Sequence, residues 1–286
     1  MASKNYSASR LKCFEGCKLN YKYKYVDGWK AIGLPGNVLA EKGLALHETF
    51  EHYVTGMTDE AAIQLLEQNK KVHPVNEEQY PVTEGLKRFF IFWDRFVKPY
   101  EQQGYKIEKE TWIKAQIEGE PFIGAIDLLL DHGDFVIIAD YKTASSISTS
   151  SYRSQLLLYA YMIGLNRGWD CKQIAEKVKL YVFFPLGKVT AKSANTFEKQ
   201  ALNCIRQIEF NAMDVDENAE HFISDVKEIK SKNWDGVSTD DAQTAYHCNW
   251  CDYAGSIPNS AGFKGCPLSY GQGYRQLRKV KFERDD

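Results

Sequence analysis

Residues 105–143 constrain the fold more than any other stretch of this chain. "YKIEKETWIKAQI" alternates polar with apolar residues, "EGEP" reads as a turn, and "FIGAIDLLLD" reads as a second strand. "HGD" then turns the chain into "FVIIADYKT". Period-two alternation bounded by glycine-containing breaks predicts three strands in a meander. The third strand ends oddly. Val136, Ile137, Ile138 and Ala139 read as buried, yet Asp140 and Lys142 flank Tyr141 at its end.

The flanks predict helices. "VLAEKGLALHETFEHYVTG" has apolar residues at helical spacing and stops at Gly56, Thr58 serves as the N-cap of "TDEAAIQLLEQNK", and "TEGLKRFFIFWDRFVKPYEQQG" makes a third helix ending near Gly104. After the meander come a helix from about Ser151, a strand at "KVKLYVFFP", and two helices, "TFEKQALNCIRQIEFNAM" and "DENAEHFISDVKEIKSK". This order predicts an α/β fold with a mixed central sheet flanked by helices. Within one compact unit the expected segments are 1–37 (N-terminal), 38–103 (helical, carrying His47), 104–235 (the core) and 236–286 (a cysteine-rich cap).

Composition narrows the class. The chain has 286 residues, 44% hydrophobic and 26% charged, which is ordinary for a globular protein. No apolar run approaches the roughly 20 residues of a membrane helix, and "MASKNYSASRLKC" lacks the apolar core of a secretory signal. The expectation is a cytoplasmic protein, in the host cytoplasm if it is phage-encoded, with no membrane partner. A net charge of −2 gives no global attraction for polyanions, so nucleic-acid binding needs local patches. "RLKCFEGCKLNYKYKYVDGWK" and "YRQLRKVKFER" are such patches, although either could be a solvated lysine-decorated surface.

Asp140-Tyr141-Lys142 has a partner in Asp127, inside "FIGAIDLLL" on the preceding strand. A hairpin at "LLLDHGDFVII" brings the two aspartates to one end of the sheet. Two adjacent carboxylates repel and are costly to desolvate, and a divalent cation resolves both problems. Oxygen ligands, with the Tyr141 carbonyl between them, suit Mg²⁺ or Mn²⁺, while Lys142 can orient a water and offset charge on a phosphoryl transition state. The plainer alternative is a strand-edge Asp–Lys pair plus an unrelated aspartate. His47 could complete the metal's shell, oriented by Glu51 one helical turn on. Gln155 and Tyr159 share a helical face and offer hydrogen bonds to Lys142 or a phosphate.

In order, His47, Gly124-Ala125-Ile126-Asp127, Asp140-Tyr141-Lys142 and Gln155-Leu156-Leu157-Leu158-Tyr159 resemble the motifs of the PD-(D/E)XK nuclease superfamily, specifically its RecB-like branch. The resemblance is strong over roughly residues 40–165. It implies a restriction-endonuclease-like core and a metal-dependent phosphodiesterase acting on DNA. The metal would be held by His47, Asp127, Asp140 and the Tyr141 carbonyl, with Lys142 catalytic. Glu110 lies where some relatives carry another acid, and Glu108 is equally placed.

The cysteines extend the resemblance. "SASRLKCFEGCKLNYKY" is similar to the N-terminal segment of the AddB nuclease domain and of CRISPR-associated RecB-like nucleases, with Cys17 at a ligand position. Cys248, Cys251 and Cys266 supply three more. The resemblance implies a [4Fe–4S] cluster stapling the chain ends into a cap. The 14 residues between Cys251 and Cys266 exceed the family's usual spacing, so Zn²⁺ at four thiolates stands as an alternative, with Cys13 or His247 able to replace one ligand. Cys171 and Cys204 read as small packing residues. The expected function is a DNA exonuclease on single-stranded or end-exposed substrates, in recombination, repair or phage and mobile-element processing, with or without a helicase or recombination partner. The alternative is a catalytically silent DNA-binding or scaffold subunit.

Overall fold

The computed structural model describes residues 5–32, 38–54, 56–189, 195–238, 251, 253, 266 and 276–279. In chain order the elements are α1 (Ala8–Gly16), α2 (Lys18–Tyr21), β1 (Trp29–Ile32), α3 (Val38–Tyr53), α4 (Asp59–Val72), α5 (Val82–Phe92), α6 (Lys98–Gln102), β2 (Lys106–Ile117), β3 (Glu120–Asp131), β4 (Val136–Tyr141), α7 (Ser150–Arg167), α8 (Cys171–Lys177), β5 (Val178–Phe183), α9 (Phe197–Leu202), β6 (Ile205–Ile208), α10 (Ala212–Ser231) and β7 (Gln276–Lys279).

A five-stranded sheet runs in the order β2-β3-β4-β5-β6. The β2–β3 hairpin closes through Glu118 and Gly119, both at positive φ (48° and 81°), the backbone that a tight two-residue turn needs. β3 is antiparallel to β4, with Leu128 opposite Ala139. β4 is parallel to β5, and α7 with α8 makes the crossover that a parallel pair requires. β4 is buried along its whole length, as suits a strand covered on both faces. The mixed, helix-flanked sheet expected from the sequence is therefore present.

One expected helix is corrected. "TFEKQALNCIRQIEFNAM" is not continuous: α9, capped by the Thr196 side chain accepting the Lys199 N–H, ends at Leu202. Residues 205–208 instead form β6, pairing antiparallel with β5 so that Ile208 lies opposite Leu180. Its ladder bonds with the sheet outweigh a weak helical preference.

The chain divides into two compact units. One comprises Gly36–Ile113 and Gly124–Asn218 and carries β4, β5, β6 and α3 to α9. Its core holds an aromatic box in which Phe50 stacks on Phe89 at 3.9 Å and Phe92 on Phe183 at 4.5 Å. Tyr141 meets Phe50 and Phe89 edge-on at 5.4 and 5.5 Å. That anchors the side chain between Asp140 and Lys142 on one face, so those two project to the other.

The other unit comprises Met1–Pro35, Lys114–Ile123 and Ala219–Asp286. Here Ser7 caps α1, and the buried Arg10 donates to the Tyr21 hydroxyl and the Asn5 carbonyl. Tyr21 stacks on Trp234 at 5.2 Å. β1 pairs with β7, so Trp29 faces Lys279.

Candidate active site

Continuing the β3–β4 register sets Asp127 opposite Asp140. The Tyr141 N–H donates to Asp127 Oδ2 at 2.7 Å, and His47 on α3 places Nδ1 3.9 Å from Asp127 Oδ1. The imidazole also hydrogen-bonds the Tyr141 backbone. Donor atoms of His47, Glu110 and Asp127 lie within 4.8 Å of one another. Glu110 reaches this group from a strained backbone, φ 43°, which interrupts the alternation of β2. Glu108 pairs with Lys106 at 2.7 Å instead. Glu51 pairs with Lys109 at 3.4 Å, on β2.

Burial sets the electrostatics. It pushes the Asp127 carboxyl up to about 6, against the pull of Lys142 and the Tyr141 N–H. It pushes Asp140 up to about 6 as well, helped by the Asp127 charge and opposed by Lys142. Lys142 Nζ lies 2.6 Å from Asp140 Oδ2, an oxygen that is buried and finds no aligned hydrogen-bond donor among the described residues. Burial works against the Lys142 charge, but the two aspartates outweigh it and hold its pKa above the ordinary lysine value. His47 is held below its usual value by burial and then by Lys142, so its imidazole is neutral and free to ligate near neutral pH.

α7 closes the site. Gln155 Nε2 donates to the Tyr159 hydroxyl at 2.8 Å, and the Lys142 ammonium sits 5.3 Å from the Tyr152 ring centre. Gly124 is where Tyr159 packs: a Cβ there would lie 2.4 Å from its Cε1. The glycine of one motif thus admits the tyrosine of another.

These donors fit a hard divalent cation: two carboxylates and a neutral imidazole converge beside a third, buried carboxylate paired with Lys142. Glu110, which the sequence left tied with Glu108, joins the donor group, while Glu108 pairs with Lys106.

Three of the candidate cluster cysteines lie together in the other unit. Cys17, Cys251 and Cys266 border one cluster with Leu19, Tyr23, Trp29, Val237 and Tyr253. Cys17 Sγ accepts the Asn20 N–H at 3.3 Å and Cys251 Sγ the Tyr253 N–H at 3.5 Å. The Tyr23 hydroxyl is pushed up to about 12, by burial first and then by Cys266, Asp27, Cys17 and Cys251. Cys248 and His247 lie outside the described residues, as does most of the second basic patch. The same unit holds a group the sequence did not single out, in which His221 Nε2 lies 2.7 Å from Glu15 and 3.9 Å from Asp225.

The model of the PD-(D/E)XK nuclease superfamily matches residues 5–256. The chain belongs to that superfamily. Among solved structures it is similar to a candidate exonuclease from Eubacterium rectale, with a TM-score of 0.52 and 15% identity over 87% of each chain. That likeness is one of fold. A more distant match is SSO0001, with a TM-score of 0.31 and 12% identity over 77% of this chain and 96% of the other. No curated protein matches the sequence. Among the described residues no helix is long and apolar enough to cross a membrane.

Proposed function

We propose that the chain is a Mg²⁺- or Mn²⁺-dependent DNA nuclease of the RecB-like branch, acting as an exonuclease on single-stranded or end-exposed DNA in recombination, repair or mobile-element processing. The observation that carries the reading is the convergence of His47, Glu110 and Asp127 donor atoms within 4.8 Å, next to the Asp140–Lys142 pair. His47, Asp127, Asp140, the Tyr141 carbonyl and Glu110 would hold the cation. Bound there, it supplies a Lewis acid to the phosphodiester and lowers the pKa of water. The protein's own residues do the rest. Lys142, kept charged by Asp140, faces the negative charge that develops on the phosphoryl oxygens. Asp127, fixed by the Tyr141 N–H, and the neutral His47 keep the donors in place without a proton to lose. Tyr159, held by Gln155 and seated on Gly124, walls the site and bears on Lys142.

The same reading assigns Cys17, Cys251 and Cys266, with Cys248, to a [4Fe–4S] cluster, Zn²⁺ being the alternative. Three thiols around Tyr23, two already accepting backbone N–H groups, are the supporting observation.

The test is incubation with end-labelled single- and double-stranded DNA in Mn²⁺, Mg²⁺ or EDTA. Metal-dependent shortening from an end is the expected result. Binding without cleavage in any metal would return the chain to a silent scaffold role.

A further inference from the structure

We propose that a groove formed by the segments that follow β4 and β5 and precede β6 grips the phosphate backbone of the substrate strand, with Lys188 and Arg206 as positioning residues. This rests on the nuclease reading above and adds where the strand runs.

The topology brings three segments to one end of the sheet. The chain leaves β4 at Lys142 and passes Ser145 and Ser146. β5 is parallel to β4, so its exit through Lys188 comes to the same end. β6 is antiparallel to β5, so its entry through Asn203 and Arg206 does too. Between them lies a cavity of about 740 Å³ lined by Ser145, Ser146, Ile147, Lys188, Asn203 and Arg206. Crevices at the carboxyl ends of parallel strands are where open α/β sheets take ligands.

The walls are built. The Lys188 N–H donates to the Ser145 carbonyl at 2.9 Å, and the Phe184 N–H to the Cys204 carbonyl at 2.9 Å. Buried Arg88 ties down the turn between them, donating to the carbonyls of Pro185 at 3.2 Å and Gly187 at 2.7 Å. Gly187 packs so closely that a Cβ would lie 2.7 Å from Ile147 Cγ1.

The lining is chemistry for an anion: two cations, two hydroxyls and a carboxamide, with no carboxylate. Four other arginines of the same unit are spoken for. Arg88 pairs with Glu84, Arg95 with Glu198, Arg153 with Asp214 and Arg167 with Asp131. Among the described residues no carboxylate pairs with Lys188 or Arg206, and Arg206 Nη1 donates only to the neighbouring Ile205 carbonyl. Such cations are available to phosphates.

The reach is right. Asp140 lies opposite Val182, and Val182 opposite Arg206, so Arg206 is two strands, about 10 Å, from Asp140 on the same face. Ser145 is three residues from Lys142, at most about 11 Å. One strand of DNA advances about 3.4 Å per nucleotide, so the groove takes phosphates within about three nucleotides of the one cut.

The experiment measures binding of the full chain to a fluorescein-labelled single-stranded oligonucleotide in EDTA across a salt series, then cleavage in Mn²⁺. Lys188→Ala and Arg206→Gln should each weaken binding about five- to tenfold and make the plot of log Kd against log salt shallower by about 0.7. In Mn²⁺ each should raise KM more than it lowers kcat. Lys172→Ala, on exposed α8, should change none of these. Lys188→Glu should weaken binding further than Lys188→Ala, on a side chain exposed enough to leave the melting curve alone. Inorganic phosphate at matched ionic strength should compete poorly, since a single anion spans only part of the groove. Variants that bind with wild-type affinity and slope, while the wild type cleaves, would overturn the groove and leave the nuclease standing. Binding that depends on Lys188 and Arg206 in a protein that never cleaves would keep the groove and remove the nuclease. Full competition by phosphate alone would make this a free-anion site and overturn the strand assignment.

Discussion

Two groups of potential metal ligands among the described residues are built in opposite ways. At the candidate active site, His47, Asp127 and Asp140 project from regular elements and Lys142 follows the last residue of β4, and the β3–β4 register alone brings the aspartates face to face. At the cysteine cluster, Cys17 and Cys266 meet from opposite ends of the chain, around Tyr23 and Tyr253. The first group is a cost to the fold: two carboxylates whose ionisation burial opposes. The second, if it takes a cluster, supplies folding free energy to the segments that carry its thiolates. Removing a ligand should therefore abolish activity and spare the fold in one unit, and loosen the fold in the other.

The largest effects test that contrast directly. Lys142→Ala should lower metal-dependent cleavage by about three orders of magnitude or more, as loss of a charge-stabilising group does, while the protein still melts cooperatively. Wild-type turnover in the purified variant would sink the assignment. His47→Ala should raise the metal concentration required for cleavage, with turnover per folded molecule as the readout that separates a ligand from a packing residue.

Cys17→Ser should do the reverse. Serine can still accept the Asn20 N–H as the N-cap of α2, so the local helix start is kept and only the thiolate is lost. Protein purified without oxygen should lose its brown colour and its near-equal iron and sulfide, and protease should enter the segment after residue 236. Cys171→Ser and Cys204→Ser should leave the colour unchanged. A colourless wild type with stoichiometric zinc would mean a zinc staple, and a metal-free protein with a protected C-terminus would mean that packing alone holds it.

The contrast also explains what could be read from the sequence. The meander, most of the helix order and the strand positions of Asp127 and Asp140 were legible because strand alternation and turn chemistry act locally, whereas His47 stood out through the order of motifs that resembles the family. β6 was not: "CIRQIEF" has no signal of its own, and its strand exists because β5 offers an open edge. β1 and β7, four residues each, pair across most of the chain, and nothing in either segment names the other. Glu110 was indistinguishable from Glu108 until the backbone strain at Glu110 separated them.

A smaller effect sharpens the active-site side. Gly124→Ala puts a Cβ 2.4 Å from Tyr159 Cε1, so the ring must move and its bond with Gln155 be lost. Overpacking of this kind costs about 1–3 kcal/mol, and displacement of a group beside Lys142 should lower turnover about tenfold or more. Tyr159→Ala in the same background should recover part of the stability and none of the activity. Additive losses in that double-mutant cycle would show that the two residues are not coupled.

The smallest effect has the least intuitive sign. The folded-state pKa of Asp127 is about 6, above its ordinary value of 3.8, and burial is the main cause. A carboxyl whose pKa is raised by folding contributes its full stability below the unfolded value, near pH 4, and loses it as pH rises through about 6. Metal-free protein should therefore carry a penalty at pH 8 that is absent at pH 4. Asp127→Asn keeps an oxygen to accept the Tyr141 N–H and removes the charge beside Asp140 and Glu110. In EDTA at pH 8 it should melt above the wild type, by on the order of 2 kcal/mol or roughly 5 °C, and the difference should vanish near pH 4. Mn²⁺ should close the gap from the other side by stabilising the wild type alone. A variant that melts below the wild type at pH 8 in EDTA would mean that the ionised carboxylate is already well satisfied by Lys142 and the Tyr141 N–H. The site would then resemble the cysteine cluster in supporting the fold, and the contrast between the two units would fail.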